Sequence, residues 1–224
     1  MGYQVTRSPG YKNNVKNKLS SIYRKLYKKF GAQEWWPADT SFEVMVGAIL
    51  TQNTNWQNVE KAITNLKKEK LLSPLKLNGI TLKRLAKLIR PSGYYNIKAA
   101  RLKSFLDFFI YEYQADITRM RSENTSNLRK KLLAVKGVGY ETADSILLYA
   151  LEKPVFVVDS YTKRIFSRHG FFKEESDYNI VQKFFMDNLD NKVSLFNEFH
   201  ALIVKTAKEF CRKQKPLCHL CPLK

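Results

Sequence analysis

One carboxylate, Asp159, ends the apolar run Val155-Phe156-Val157-Val158. At the end of a buried segment it meets little water, and such a group can stabilise a developing cation or orient and deprotonate a water molecule. A plainer role fits the same residues, because Asp before Ser-Tyr-Thr-Lys makes a good helix N-cap. Twenty residues earlier, Gly137-Val138-Gly139 breaks a helical pattern. Both glycines can take positive φ and admit a partner's backbone. The helix that opens at Tyr140 turns its free N–H groups and positive dipole end outward, which suits a phosphate. A simple corner between two helices would read the same way. Cys211, Cys218 and Cys221 form a C-x6-C-x2-C pattern, and thiolates at that spacing ligate metals. An iron–sulfur cluster, zinc with His219 as fourth ligand, and reduced free thiols are the three readings.

The aromatic residues are the next resource. Trp35-Trp36-Pro37 and Trp56 offer flat, electron-rich faces that stack on bases and attract cations, or that simply pack a core. The charge favours the first use. Lys and Arg number 39 against 20 Asp and Glu, a net +19 with pI near 9.8. A lysine-rich thermophile surface would also be basic, but an excess this large points to a polyanionic partner.

With 224 residues there is room for one large domain or two small ones, and 44% hydrophobic content excludes disorder. No apolar run reaches the ~18 residues of a membrane span. The N-terminus is polar and basic without a signal-peptide core. Cysteines confined to the C-terminal end are not a secreted disulfide framework. The expected compartment is the cytoplasm, beside the nucleoid.

Apolar spacing predicts helices nearly throughout. They cover 12–30, ended by Gly31; 40–52, capped by Asp39 or Thr40; a third from Asn55 through Leu66; 81–89; 96–113; 125–134; 140–151; then about 159–168, 177–189 and 193–211. Residues 155–158 have strand propensity but no evident partner, and are read as a buried connector. The first dozen residues are expected to lack order.

The ordered motifs GAILTQNT, RPSGYYNIKAARL, VKGVGYETAD, VVDSYTKRI and HALIVKTAKEFC carry a family resemblance. From about Trp36 to Cys221 the chain closely resembles the endonuclease III superfamily of DNA glycosylases, with its helix–hairpin–helix and glycine/proline–Asp signature. The resemblance implies an all-α fold of two helical domains with a DNA-binding cleft between them. Residues 43–153 would form a six-helix barrel containing the helix–hairpin–helix at about 128–151. Residues 1–42 plus 154–224 would form the second helical domain with the Cys loop. It implies a monomer acting on double-stranded damaged DNA and no membrane partner. Lys136, Gly137, Val138, Gly139 and Tyr140 would grip the backbone, and Asp159 would be catalytic. Gln52 and Asn53 match the loop that fills the gap left by an extruded base, although a polar helix C-terminus reads the same.

One departure narrows the chemistry. Lyase members carry a nucleophilic lysine two positions after the second glycine, where this chain has Glu141. A glutamate cannot form a Schiff base with deoxyribose, so base removal without strand cleavage is expected. Within the superfamily, Trp35-Trp36-Pro37, the Thr-Gln-Asn-Thr stretch with Trp56 two residues on, and Glu141 look most like the 3-methyladenine DNA glycosylase III branch. That likeness puts Trp35, Trp36, Pro37 and Trp56 at an alkylpurine pocket, with Lys208 matching a modified lysine near it. A glycosylase for an oxidised or mismatched base, and a non-catalytic helix–hairpin–helix DNA-binding protein, are the alternatives. The superfamily's [4Fe–4S] loop is C-x6-C-x2-C-x5-C. Cys211, Cys218 and Cys221 match three ligands, and the fourth would fall at position 227, beyond Lys224.

Overall fold

A computed structural model describes residues 9–224, with side chains from residue 14 onward. The expectation of a disordered N-terminus therefore lies, for residues 1–8, outside the described residues. From Pro9 the chain is helical.

The helices are α1 (Pro9–Phe30), α2 (Ser41–Leu50), α3 (Trp56–Lys68), α4 (Pro74–Gly79), α5 (Leu82–Leu88), α6 (Tyr95–Tyr113), α7 (Ile117–Ser122), α8 (Thr125–Ala134), α9 (Tyr140–Ser145), α10 (Ser160–Arg168), α11 (Tyr178–Asn188) and α12 (Val193–Glu209). No strand occurs among the described residues, so the fold is all-α. Side-chain caps start most of these helices. Thr40, Asn55, Thr81, Asp116, Asn124, Asp159 and Asp177 each accept from a backbone N–H of the first turn, which satisfies donors that the helix itself leaves orphaned. The spacing analysis missed α4 and α7. Each has six residues, too few for an apolar period to show.

The chain divides into two compact units. Of the described residues, 9–35 and 154–224 form one, and 36–153 form the other. The first boundary falls before Trp36 rather than after Phe42. Trp36 packs inside the second unit, over Gly47 and against Trp56 and Tyr149.

In the first unit, α1 and α10 both pack on α12. Val15, Leu19 and Leu26 of α1 are buried, as its periodicity predicts. Residues 155–158 form an extended connector, not a strand, and all four are buried. Phe156 anchors it. Its ring stacks on Phe185 at 4.2 Å and meets Phe196 edge-on, and its carbonyl accepts from Gln182 Nε2 at 2.7 Å.

In the second unit, α2 is apolar apart from Ser41 and Glu43 and is buried from Phe42 to Leu50, with the Glu43 carboxylate paired to Lys67. A helix of that kind belongs at the centre of a domain. Lys98 of α6 is buried, and its ammonium donates to the Leu50 and Ser92 carbonyls. Burial, reinforced by Arg101, lowers its pKa to about 8.

The hairpin between α8 and α9 is locked from within. Arg129 donates twice to buried Asp144, at 2.7 and 3.0 Å, a two-pronged pairing across the two helices. After α9 the helix widens into a π turn, Ile146–Ala150, where Leu151 N reaches Ile146 O.

Of the two glycines, only Gly137 needs to be glycine for backbone reasons. Its φ is +90°, and a Cβ there would lie 2.2 Å from Arg101 Cγ. Gly139 is extended, with φ −95°, and caps α9. The expectation of positive φ at both positions is corrected to one.

Gly137→Ala combines a left-handed backbone with overlap of a packed side chain. It is expected to destabilise the protein by about 2–4 kcal/mol, read as a lower urea unfolding midpoint. Gly139→Ala is expected to shift the midpoint far less.

Candidate functional site

Asp159 is the N-cap of α10, and each carboxylate oxygen has its own surroundings. Oδ1 accepts from Thr162 N at 2.7 Å and Thr162 Oγ1 at 2.8 Å. Oδ2 faces His200 Nε2 of α12 at 3.6 Å, with the two side chains 10% and 7% exposed. Burial pushes the Asp159 carboxyl up, but His200 and the two Thr162 donors overcome it and hold it below its ordinary value. The capping and catalytic readings are therefore compatible. One oxygen starts the helix and the other faces His200. Val158 N, donating to the Tyr178 hydroxyl at 3.3 Å, steadies the preceding peptide.

His200 escaped the sequence reading. It lies 41 residues from Asp159 on another helix, in the quoted HALIVKTAKEFC stretch. Lys208 does not join the pair. It is exposed, and eight residues beyond His200 on one helix places it about 12 Å along the axis.

The second unit holds the aromatic group. Trp36 meets Trp56 edge-to-face at 5.0 Å, and Tyr149, carried on the π turn, meets Trp36 at 5.2 Å. Gly47 of α2 is the floor, because a Cβ there would touch the Trp36 ring at 3.3 Å. All three rings are partly exposed, so they are not plain core. Tyr149 was not singled out from the sequence. Its neighbours, an aromatic pair far away in the chain, give no local signal. Trp35 belongs to the first unit and Pro37 is exposed.

At the hairpin, Lys136, Gly139 and Tyr140 are exposed, while the Val138 side chain is buried and its N–H donates to Val135 O. Val138 can therefore offer its neighbours little beyond its place in the turn. The N-cap of α9 is Gly139, which has no side chain with which to cap it. Tyr140 is partly covered by the Arg129 guanidinium, 5.3 Å from its ring centre. Glu141 is exposed in the first turn of α9. Asn53 is exposed at φ +53°, whereas the Gln52 amide turns inward to Gly137 O and Thr142 Oγ1.

The cysteines are free and lie in different settings: Cys211 buried, Cys221 half-buried and Cys218 exposed. Arg168 touches Cys211 Sγ at 3.4 Å and donates to the Arg212 and Lys213 carbonyls, and Arg164 Nε donates to Cys211 O. Among the described residues, no set of three or more His, Cys, Asp or Glu side chains is arranged to hold a metal. The residues present therefore do not fit a four-thiolate cluster, nor zinc completed by His219. The loop is held by arginine–carbonyl bonds. Burial and the charges of Cys211 and Cys218 push the Cys221 thiol up, against a bond from Leu223 N.

A hairpin of two helices with a glycine turn, followed by a capping aspartate on a buried connector, defines a class of DNA-repair folds. Residues 46–191 match the HhH-GPD superfamily base excision DNA repair protein family. A Methanocaldococcus jannaschii protein provisionally named a DNA repair glycosylase is 49% identical over 214 residues, 95% of this chain and 97% of that one. A crystal structure of Helicobacter pylori 3-methyladenine DNA glycosylase bound to 1,N6-ethenoadenine superposes with a TM-score of 0.72 at 32% identity, covering 88% of this chain and 97% of that one. An endonuclease III–DNA complex shares the fold, with a TM-score of 0.79 at 23% identity over 93% of this chain and 92% of that one. The chain belongs to the HhH-GPD superfamily of base excision repair DNA glycosylases. Among the described residues, no helix is long and apolar enough to cross a membrane.

The depressed Asp159 pKa has a definite sign in stability. A carboxyl whose folded pKa lies below its unfolded value, about 3.9, stabilises fully above that pH and loses the contribution as pH falls through the folded pKa. Asn caps as well as Asp, so Asp159→Asn should fold. Its stability deficit against the parent is expected to shrink as pH falls below about 4, where the parent carboxylate takes up its proton. Paired urea titrations across that range measure it.

Proposed function

We propose that the protein is a monofunctional DNA glycosylase that removes alkylated purines of the 3-methyladenine kind from duplex DNA. The observation that carries this reading is the partly exposed ring group Trp36, Trp56 and Tyr149 over Gly47. Alkylation at ring nitrogen leaves a purine cationic, and indole faces attract a flat cation by about 0.5–2 kcal/mol per contact. The likeness to a 3-methyladenine glycosylase at 32% identity supports the same substrate class.

The reaction begins with extrusion of the damaged nucleotide, which costs least where pairing is already weak. Trp36 and Trp56, with Trp35 and Pro37 beside them in sequence, receive the base. Asn53 and Gln52 belong to the loop at the vacated pair. The grip is Lys136 and the backbone from Gly137 to Tyr140. Such contacts position the enzyme without reading sequence, and a charge of +19 draws it to DNA. As the N-glycosidic bond lengthens, the sugar gains oxocarbenium character, and ionised Asp159 stabilises it and orients the water that completes hydrolysis. Cationic purines are good leaving groups, so no strong general acid is needed. Glu141 provides no amine for a Schiff base, and the product is an abasic site. Lys208, exposed on α12, joins the basic loop residues Arg212, Lys213 and Lys215 as a backbone contact. The enzyme acts as a monomer at the nucleoid.

A panel of duplexes, each with one damaged base, tests this. Release of an alkylated purine is expected, with strand scission only after alkali. Release of an oxidised or mismatched base instead would replace the substrate assignment, and a covalent adduct trapped by borohydride would overturn the monofunctional one. Trp36→Ala is expected to lower alkylpurine excision about ten- to a hundredfold with far less effect on duplex affinity. Asp159→Asn should lower it at least about a hundredfold while binding persists. Full activity in Asp159→Asn would remove the carboxylate from the mechanism.

A further inference from the structure

Gln52 joins three elements of its unit. Its Nε2 donates to the Gly137 carbonyl at 3.0 Å and to Thr142 Oγ1 at 2.9 Å, and its Oε1 accepts from Arg101 Nη1. Both ends of the amide are thus engaged. Lys98, three residues before Arg101 on α6, fixes the Leu50 carbonyl at the end of α2, just before Gln52.

The Gly137 carbonyl begins the peptide that leads into the hairpin turn. That peptide is planar. Its N–H, on Val138, donates to Val135 O at 3.0 Å, so the plane is held at both edges, once by the turn itself and once by Gln52. Arg101 fills the space where a Gly137 side chain would stand. Thr142, buried and in the first turn of α9, ties the same amide to the helix that follows the turn. If Gln52 swung toward DNA, it would abandon all three partners.

We propose that Gln52 is a positioning residue of the DNA grip: it clamps the Gly137–Val138 peptide from inside the unit and so fixes the direction in which the start of α9 meets a phosphate. Exposed Asn53, at φ +53°, is the residue of that loop that faces the duplex. The inference rests on the reading that the hairpin grips DNA, and it replaces the gap-filling role that the resemblance implies for Gln52.

Gln52→Met keeps the length of the side chain and removes all three bonds. Thr142→Val removes one partner at a position too buried to touch DNA. Two measurements follow for each variant and the double variant: affinity for an undamaged duplex, and hydrogen exchange at the Val138 amide. With the thermal midpoint near that of the parent, each single variant is expected to bind undamaged duplex about three- to tenfold more weakly. The double variant should lose little more than the worse single one, since both break the same network, and Val138 should exchange faster in all three. Parental affinity and exchange in both single variants, with Gln52→Met slowing excision alone, would overturn the clamp and restore the gap-filling role. If the parent itself bound no duplex, the grip reading would fall, and the exchange data would still decide whether Gln52 clamps the turn.

Discussion

A carboxylate removed from water must be compensated or it will take up a proton, and the first unit is arranged around that constraint at Asp159. Its compensation comes from two directions. Thr162, on the helix that Asp159 itself starts, supplies two donors to one oxygen, and His200 approaches the other from α12. The connector that delivers the residue is fixed by the Phe156–Phe185 stack and the Gln182 bond. The hydrophobic contacts of this unit therefore place the group whose charge state Thr162 and His200 then hold.

The second unit solves a different problem. A glycine turn with a left-handed residue is locally permissive, and permissive turns wander. Here buried polar side chains remove the freedom: Arg129 with Asp144 between the helices, and Arg101, Gln52 and Thr142 beneath the turn. Such networks are costly when half made and directional when complete. A turn held in this way presents its backbone in one fixed direction.

Much of this was legible in the sequence where the physics is local. Caps such as Thr40 and Asp159 mark helix starts because the bond they make spans only three residues. The connector at 155–158 reads correctly because strand propensity without a partner strand cannot make a sheet. Family motifs located the hairpin and Asp159. What stayed hidden depends on distant pairs. Gln52 reads as a loop residue, yet its partners lie 49, 85 and 90 residues away. Gly137 and Gly139 are the same residue type, and only the folded backbone and the position of Arg101 separate their roles. The six-residue helices fall below the length at which period is visible, although Pro74 and Asp116 were usable starting signals.

The π turn at Ile146–Ala150 carries a consequence for the length of the chain. A regular helix advances about 100° per residue, and a π turn holds one residue more than the regular path would. Removing a single residue here would restore ordinary winding and rotate Tyr149 away from Trp36, even if every remaining side chain were unchanged. The stretch between the glycine turn and the aspartate is thus fixed in phase as well as in composition. It can absorb substitutions that preserve bulk, but an insertion or deletion of one residue would separate rings that now touch.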